Sequence, residues 1–146
     1  MTTIAVAMFL LLASIAAVHL LWAFGSHWPA RSERELVALA VGRTGQTRMP
    51  SSMQCIAATT AIFVSGLWAL GLVDLVALPF NSAVITSAGA VVAGVFAVRG
   101  IAAYLPAWRW RFAQEPFATL DREKYGPHCL IFAAGFSALV INRIGT

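Results

Sequence analysis

The run MTTIAVAMFLLLASIAAVHLLWAFGSHWP, residues 1–29, decides the fold. From Ile4 to Gly25 it offers about 22 residues without a charge, enough to cross a hydrocarbon core of ~30 Å at ~1.5 Å per residue. No Lys or Arg precedes the apolar run, and the run is too long for a cleaved h-region, so it reads as a membrane span rather than a signal peptide. It ends in a polar, aromatic knot of His19, Trp22, Gly25, His27, Trp28 and Pro29.

The rest of the chain has the same character. Of 146 residues, 60% are hydrophobic and 11% charged, more apolar side chain than a soluble domain of this length could bury. Beyond the knot, Ser32 and Glu35 form a capping-box pattern, and Leu36, Leu39 and Ala40 make one apolar stripe closed by Gly42. That pattern predicts a short helix on the membrane surface. A second span is expected over about 53–73 with Asp74 at its far end, then a tight connection through Pro79 and Asn81. The third, about 83–105, contains Arg99, and its small residues Ala83, Ser87, Ala90, Gly94 and Ala97 predict the face on which a neighbouring helix packs. The segment 106–127 is the longest polar stretch, and a fourth, short span is expected over 128–144. The expected fold is all-α: a polytopic four-transmembrane-helix bundle, one membrane domain over 1–146, with short interfacial helices in loops 26–52 and 106–127.

Charge sets the orientation and the partners. The net charge is +4, but the basic residues fall almost wholly in the two long loops, so lipid headgroups fit better than nucleic acid. Those loops hold Arg31, Arg34, Arg43, Arg48, Arg109, Arg111, Arg122 and Lys124, against Arg143 on the other side. The positive-inside rule then predicts a bacterial cytoplasmic (inner) membrane protein with both long loops in the cytoplasm and both termini outside. Trp28, Trp108, Arg109, Trp110 and Arg111 are expected at the membrane interface, with indole rings at headgroup level and guanidinium groups on phosphates.

This topology gathers polar side chains at one end. His19 precedes Gly25, and Arg99 precedes Leu105, by the same interval, which puts each about 9 Å inside the cytoplasmic end of its helix. Asp121, Tyr125 and His128 approach that end from the fourth helix and its loop, and Tyr104 lies beside them. An intramembrane guanidinium demands an anion, carbonyls or a route to the headgroups. Asp121 is the preferred partner, carried back over the bundle by a loop helix from Phe117 to Tyr125. Two readings of Arg99 stand: a structural clamp with Asp121, or a site for a lipid phosphate or carboxylate ligand. The candidate ligand-binding set is therefore His19, Trp22, Arg99, Tyr104, Asp121 and Tyr125.

Metal, haem and catalytic signatures are lacking. His19 and His27 stand at i, i+8 and cannot converge as an i, i+4 pair does; no H-E-x-x-H, E-x-x-H or C-x-x-C-H occurs. No metal or cofactor is expected, with haem between His19 and His128, or a quinone, as the residual alternatives. Cys55 and Cys129 read as free buried thiols. No nucleophile elbow, phosphate loop or paired buried carboxylates is present, so the catalytic set is unknown.

The pattern His19-x-x-Trp22-Ala23-x-Gly25, Trp28-Pro29, Arg99, and then Phe117, Asp121, Tyr125, Pro127 and Cys129, resembles a bacterial family of short four-span membrane proteins known only as a domain of unknown function. The resemblance covers nearly the whole chain; Gly126 and His128 depart from the Ser and Leu expected in the last motif, so His128 is not read as a family-wide ligand. It implies architecture and the grouping of these residues at one face, and no activity. Two function classes follow: a binding or accessory protein that holds a lipid or small anion or docks a membrane partner or a second copy, and a small membrane enzyme or redox carrier acting on a quinone or isoprenoid. The first is favoured because nothing supplies a proton-transfer pair.

Overall fold

A computed structural model of the chain describes residues 1–145. In chain order it runs α1 (Thr2–Ala23), α2 (Glu33–Ala40), α3 (Ser52–Gly71), α4 (Ser82–Ala102), α5 (Pro106–Arg111), α6 (Phe117–Leu120), a π-turn (Asp121–Tyr125) and α7 (Gly126–Ile144), with no strand among the described residues. Helices α1, α3, α4 and the continuous Phe117–Ile144 helix are each long and apolar enough to cross a membrane. No more than 28% of any of their apolar windows is buried inside the molecule. Leu10, Leu11, Phe63, Val91, Val95 and Ile131 point outward and exposed, an arrangement that suits hydrocarbon and not water. The protein is a four-helix membrane bundle.

The bundle is built from two close pairs, α1 along α3 and α4 along α7, which meet through α1–α7 and α3–α4. Met8 and Leu12 of α1, Leu72 after α3, Ile85 and Ala93 of α4, and Phe132, Phe136 and Leu139 of α7 fill the space between the pairs. Phe96 stacks on Phe136, ring centroids 5.9 Å apart and 11° from parallel.

The face of α4 that packs inward is Ile85, Gly89, Ala93 and Gly100, whereas Ala83, Ser87, Ala90 and Gly94 of the expected packing face are exposed. Turning Ile85 and Phe96 inward buries far more apolar surface than the alanine and serine face offers, and that difference sets the rotation of the helix. Gly89 and Gly100 then supply the clearance: a Cβ at Gly89 would fall 2.9 Å from Leu72, and one at Gly100 would fall 2.7 Å from Leu130 and 3.0 Å from the Gly126 carbonyl.

The fourth helix starts at Phe117 rather than near His128. Pro127 has no N–H to donate and would break a regular α-ladder. A single π-turn, closed by the Gly126 N–H on the Asp121 carbonyl, absorbs the fault and lets the helix run on.

The C-terminal ends of α1 and α4 and the N-terminal ends of α3 and the fourth helix lie at one pole of the bundle, with the two long loops. The cap is pinned at several points: Ser32 Oγ accepts from Glu35 N at 3.2 Å to start α2, the Gln114 N–H donates to the Gly42 carbonyl at 3.1 Å, and Phe117 packs against Gly42, whose φ of +65° favours glycine. At the other pole Arg143 Nη1 donates to the carbonyls of Gly71 (3.2 Å) and Leu72 (3.0 Å) and to Asp74 Oδ1 (3.0 Å); the Gly71 carbonyl also accepts from the Asp74 N–H at 3.2 Å, so Arg143 completes the closure of α3.

Candidate functional site

The knot after α1 is a helix stop. Gly25, at φ +83°, closes it: the Gly25 N–H donates to the Trp22 carbonyl and the Ser26 N–H to the Leu21 carbonyl, each at 3.0 Å. The Trp22 indole N–H donates to the Trp28 carbonyl at 2.7 Å, and the Trp22 ring packs on His19 with centroids 4.7 Å apart. His19 Nδ1–H donates to the Ile15 carbonyl one turn back at 2.9 Å, which fixes its tautomer because a carbonyl can only accept. His128 does the same to Lys124 at 2.6 Å. Among the described residues no group of three or more His, Cys, Asp or Glu side chains is arranged to hold a metal ion, and both cysteines are free thiols.

The remaining candidates converge on the π-turn. Gly100 of α4 and Gly126 of α7 face each other, so the two backbones approach closely just where the turn begins. Widening the ladder by one residue rotates what precedes it by about 100°, which turns Asp121 toward α4. Asp121 is 2% exposed. Its Oδ1 lies 2.5 Å from Arg99 Nη2, and its Oδ2 accepts from the Trp108 indole N–H at 2.9 Å. The guanidinium also lies over the Trp108 ring, 4.9 Å from its centroid. Tyr104 Oη donates to the Arg122 carbonyl at 3.0 Å, and Tyr125 Oη donates to the Leu39 carbonyl at 3.1 Å, tying α2 to the same turn. Trp108, Phe112, Phe117 and Tyr125 form a ladder of ring contacts across the cap, at 4.2, 6.2 and 5.8 Å.

Arg99, Tyr104, Asp121 and Tyr125 therefore share one neighbourhood, while His19 and Trp22 are engaged in the separate knot. Trp108, which the sequence placed only at the membrane interface, is a full member of the cluster; its spacing from Asp121 carried no sign of this, because the contact depends on how α5 folds back.

Two open spaces flank Trp108. One, of about 450 Å³, lies between α5 and the start of the fourth helix and is lined by Trp108, Arg109, Trp110, Phe112, Glu115 and Arg122 among others. The Glu115 carboxylate on its rim accepts from Thr119 N and Oγ1 at 3.2 and 3.1 Å. The second, about 560 Å³, is a shallow apolar groove along the outer face of α4, lined by Val91, Gly94, Val95, Val98 and Ala102 and closed at the polar end by Arg99 and Trp108.

A family model described as "Protein of unknown function (DUF3995)" matches residues 11–136 of the chain. No curated protein and no solved structure matches it.

Proposed function

Since the chain belongs to the DUF3995 family of proteins of unknown function, we propose a role from its own geometry: it is a lipid-binding accessory protein of the membrane that holds an anionic amphiphile at its polar end. The observation that carries this reading is the cleft beside Trp108, where Arg109 and Arg122 stand among Trp108, Trp110 and Phe112. Guanidinium groups match phosphate geometry, and indole rings favour the boundary between headgroup and hydrocarbon. Arg99 is not the ligand cation in this reading, because Asp121 already occupies it. The positive-inside rule supports a cytoplasmic position for this pole, in a bacterial cytoplasmic membrane, facing a leaflet rich in anionic lipid.

Purified protein in mild detergent is incubated with phosphatidylglycerol or with phosphatidylcholine of the same chains and analysed by native mass spectrometry. Preferential retention of phosphatidylglycerol, lost in the Arg109→Gln/Arg122→Gln variant, is expected. Equal retention of the two lipids, or unchanged retention in the variant, would overturn the reading.

A further inference from the structure

We infer that the ligand of this site is a long-chain amphiphile, with one acyl chain laid along α4 over Gly94 and its anionic head beyond Trp108. The inference rests on the lipid-binding reading and adds where the chain lies. The apolar groove and the basic cleft share a wall, since Trp108 lines both. That wall is fixed: its indole N–H is committed to Asp121, and its face carries the Arg99 guanidinium. A molecule seated across it meets hydrocarbon on one side and Arg109 and Arg122 on the other.

Length agrees with this. From Val91 to Ala102 the groove follows α4 for about 16 Å at ~1.5 Å per residue. One leaflet is half of a ~30 Å core, about 15 Å. The groove thus has the length of a single acyl chain, which lies in it from the bilayer side with its head at the end that Arg99 and Trp108 close. Gly94 makes the floor: a Cβ there would meet nothing within 4 Å, so the backbone itself is open to the groove. The packing of α4 inside the bundle uses Gly89 and Gly100 and leaves Gly94 unused.

The test compares wild type, Gly94→Leu, Val91→Trp and Arg109→Gln/Arg122→Gln for retention of palmitoyl-oleoyl phosphatidylglycerol and of dihexanoyl phosphatidylglycerol, with thermal unfolding as the control for folding. Gly94→Leu and Val91→Trp project outward and are expected to unfold as wild type does. Each should lower retention of the long-chain lipid roughly tenfold, the effect of taking about two methylenes out of contact, and leave the short-chain lipid unchanged. The double arginine variant should lose both lipids. Full long-chain retention in Gly94→Leu and Val91→Trp, with loss in the arginine variant, overturns the chain placement and leaves the headgroup site standing. Retention of both lipids in the arginine variant removes the lipid-binding reading itself.

Discussion

Arg99 on α4 and Asp121 on the π-turn meet at 2.5 Å, and the second oxygen of the same carboxylate holds the Trp108 indole at 2.9 Å. One carboxylate, 2% exposed, therefore joins α4, α5 and the fourth helix. Removing one partner of such a pair strands the other, which costs far more than the pair contributes over an apolar substitute.

Asp121→Ala is expected to destabilise the protein by about 3 kcal/mol, read as a fall in thermal midpoint in detergent. In an Arg99→Met background the same substitution should cost clearly less, because no guanidinium is then left without its anion. Additive effects of the two substitutions in the double-mutant cycle would mean that the ion pair does not act as a unit.

Gly126→Ala tests the close approach that makes the ion pair. A Cβ there would lie 2.9 Å from the Ala103 Cβ and 2.9 Å from the Asp121 carbonyl, and neither can swing away. The backbones must part, at a cost of about 1–3 kcal/mol. Trp108 should report it: separation of α4 from the π-turn loosens its hydrogen bond to Asp121, and a red shift in tryptophan emission against Gly94→Ala is the expected readout. An unchanged midpoint and spectrum would contradict the packing.

How much of this was legible beforehand differs between elements. The crossings were plain because a long apolar run announces each, even with Arg99 inside the third, though the fourth helix begins earlier than its apolar run; Asp121 as the preferred partner of Arg99 followed from the lack of a carboxylate at that level and from a loop helix that could fold back. The π-turn was not legible. Pro127 reads as a break, and whether a helix stops or widens there depends on packing against Gly100. The inward face of α4 was hidden for a related reason: small residues occur on both of its faces, and only the bulky neighbours Leu72, Leu130 and Val140 select Gly89 and Gly100. His19 was expected to join the cluster around Arg99, but it packs on Trp22, whose indole closes the knot on the Trp28 carbonyl.

Gly42→Ala should detach the surface helix. Its φ of +65° disfavours any side chain, and an added Cβ would run into the Phe117 ring. The expected result is faster proteolysis between α2 and α3 with the four long helices intact by circular dichroism. Tyr125→Phe, which loses only the bond to the Leu39 carbonyl, should weaken the same contact by about 1 kcal/mol. Proteolysis at the wild-type rate in Gly42→Ala would show that α2 does not rely on Phe117.

The opposite pole separates two contributions of Arg143. Asp74 has a side chain 79% exposed, so its ion pair with Arg143 is screened, and Asp74→Asn is expected to change stability by no more than about 0.5 kcal/mol. Asn also tolerates the left-handed backbone at this position, φ +55°, nearly as well as Asp. The carbonyls of Gly71 and Leu72 are different acceptors: both residues are buried at the end of α3, where an unmade hydrogen bond is costly. Arg143→Met should therefore cost about 1–3 kcal/mol, much more than Asp74→Asn, because the Leu72 carbonyl loses its donor while the Gly71 carbonyl keeps only the Asp74 N–H at 3.2 Å. Equal effects of the two substitutions would assign the contact to surface electrostatics instead, and in that case raising the salt concentration should erase both.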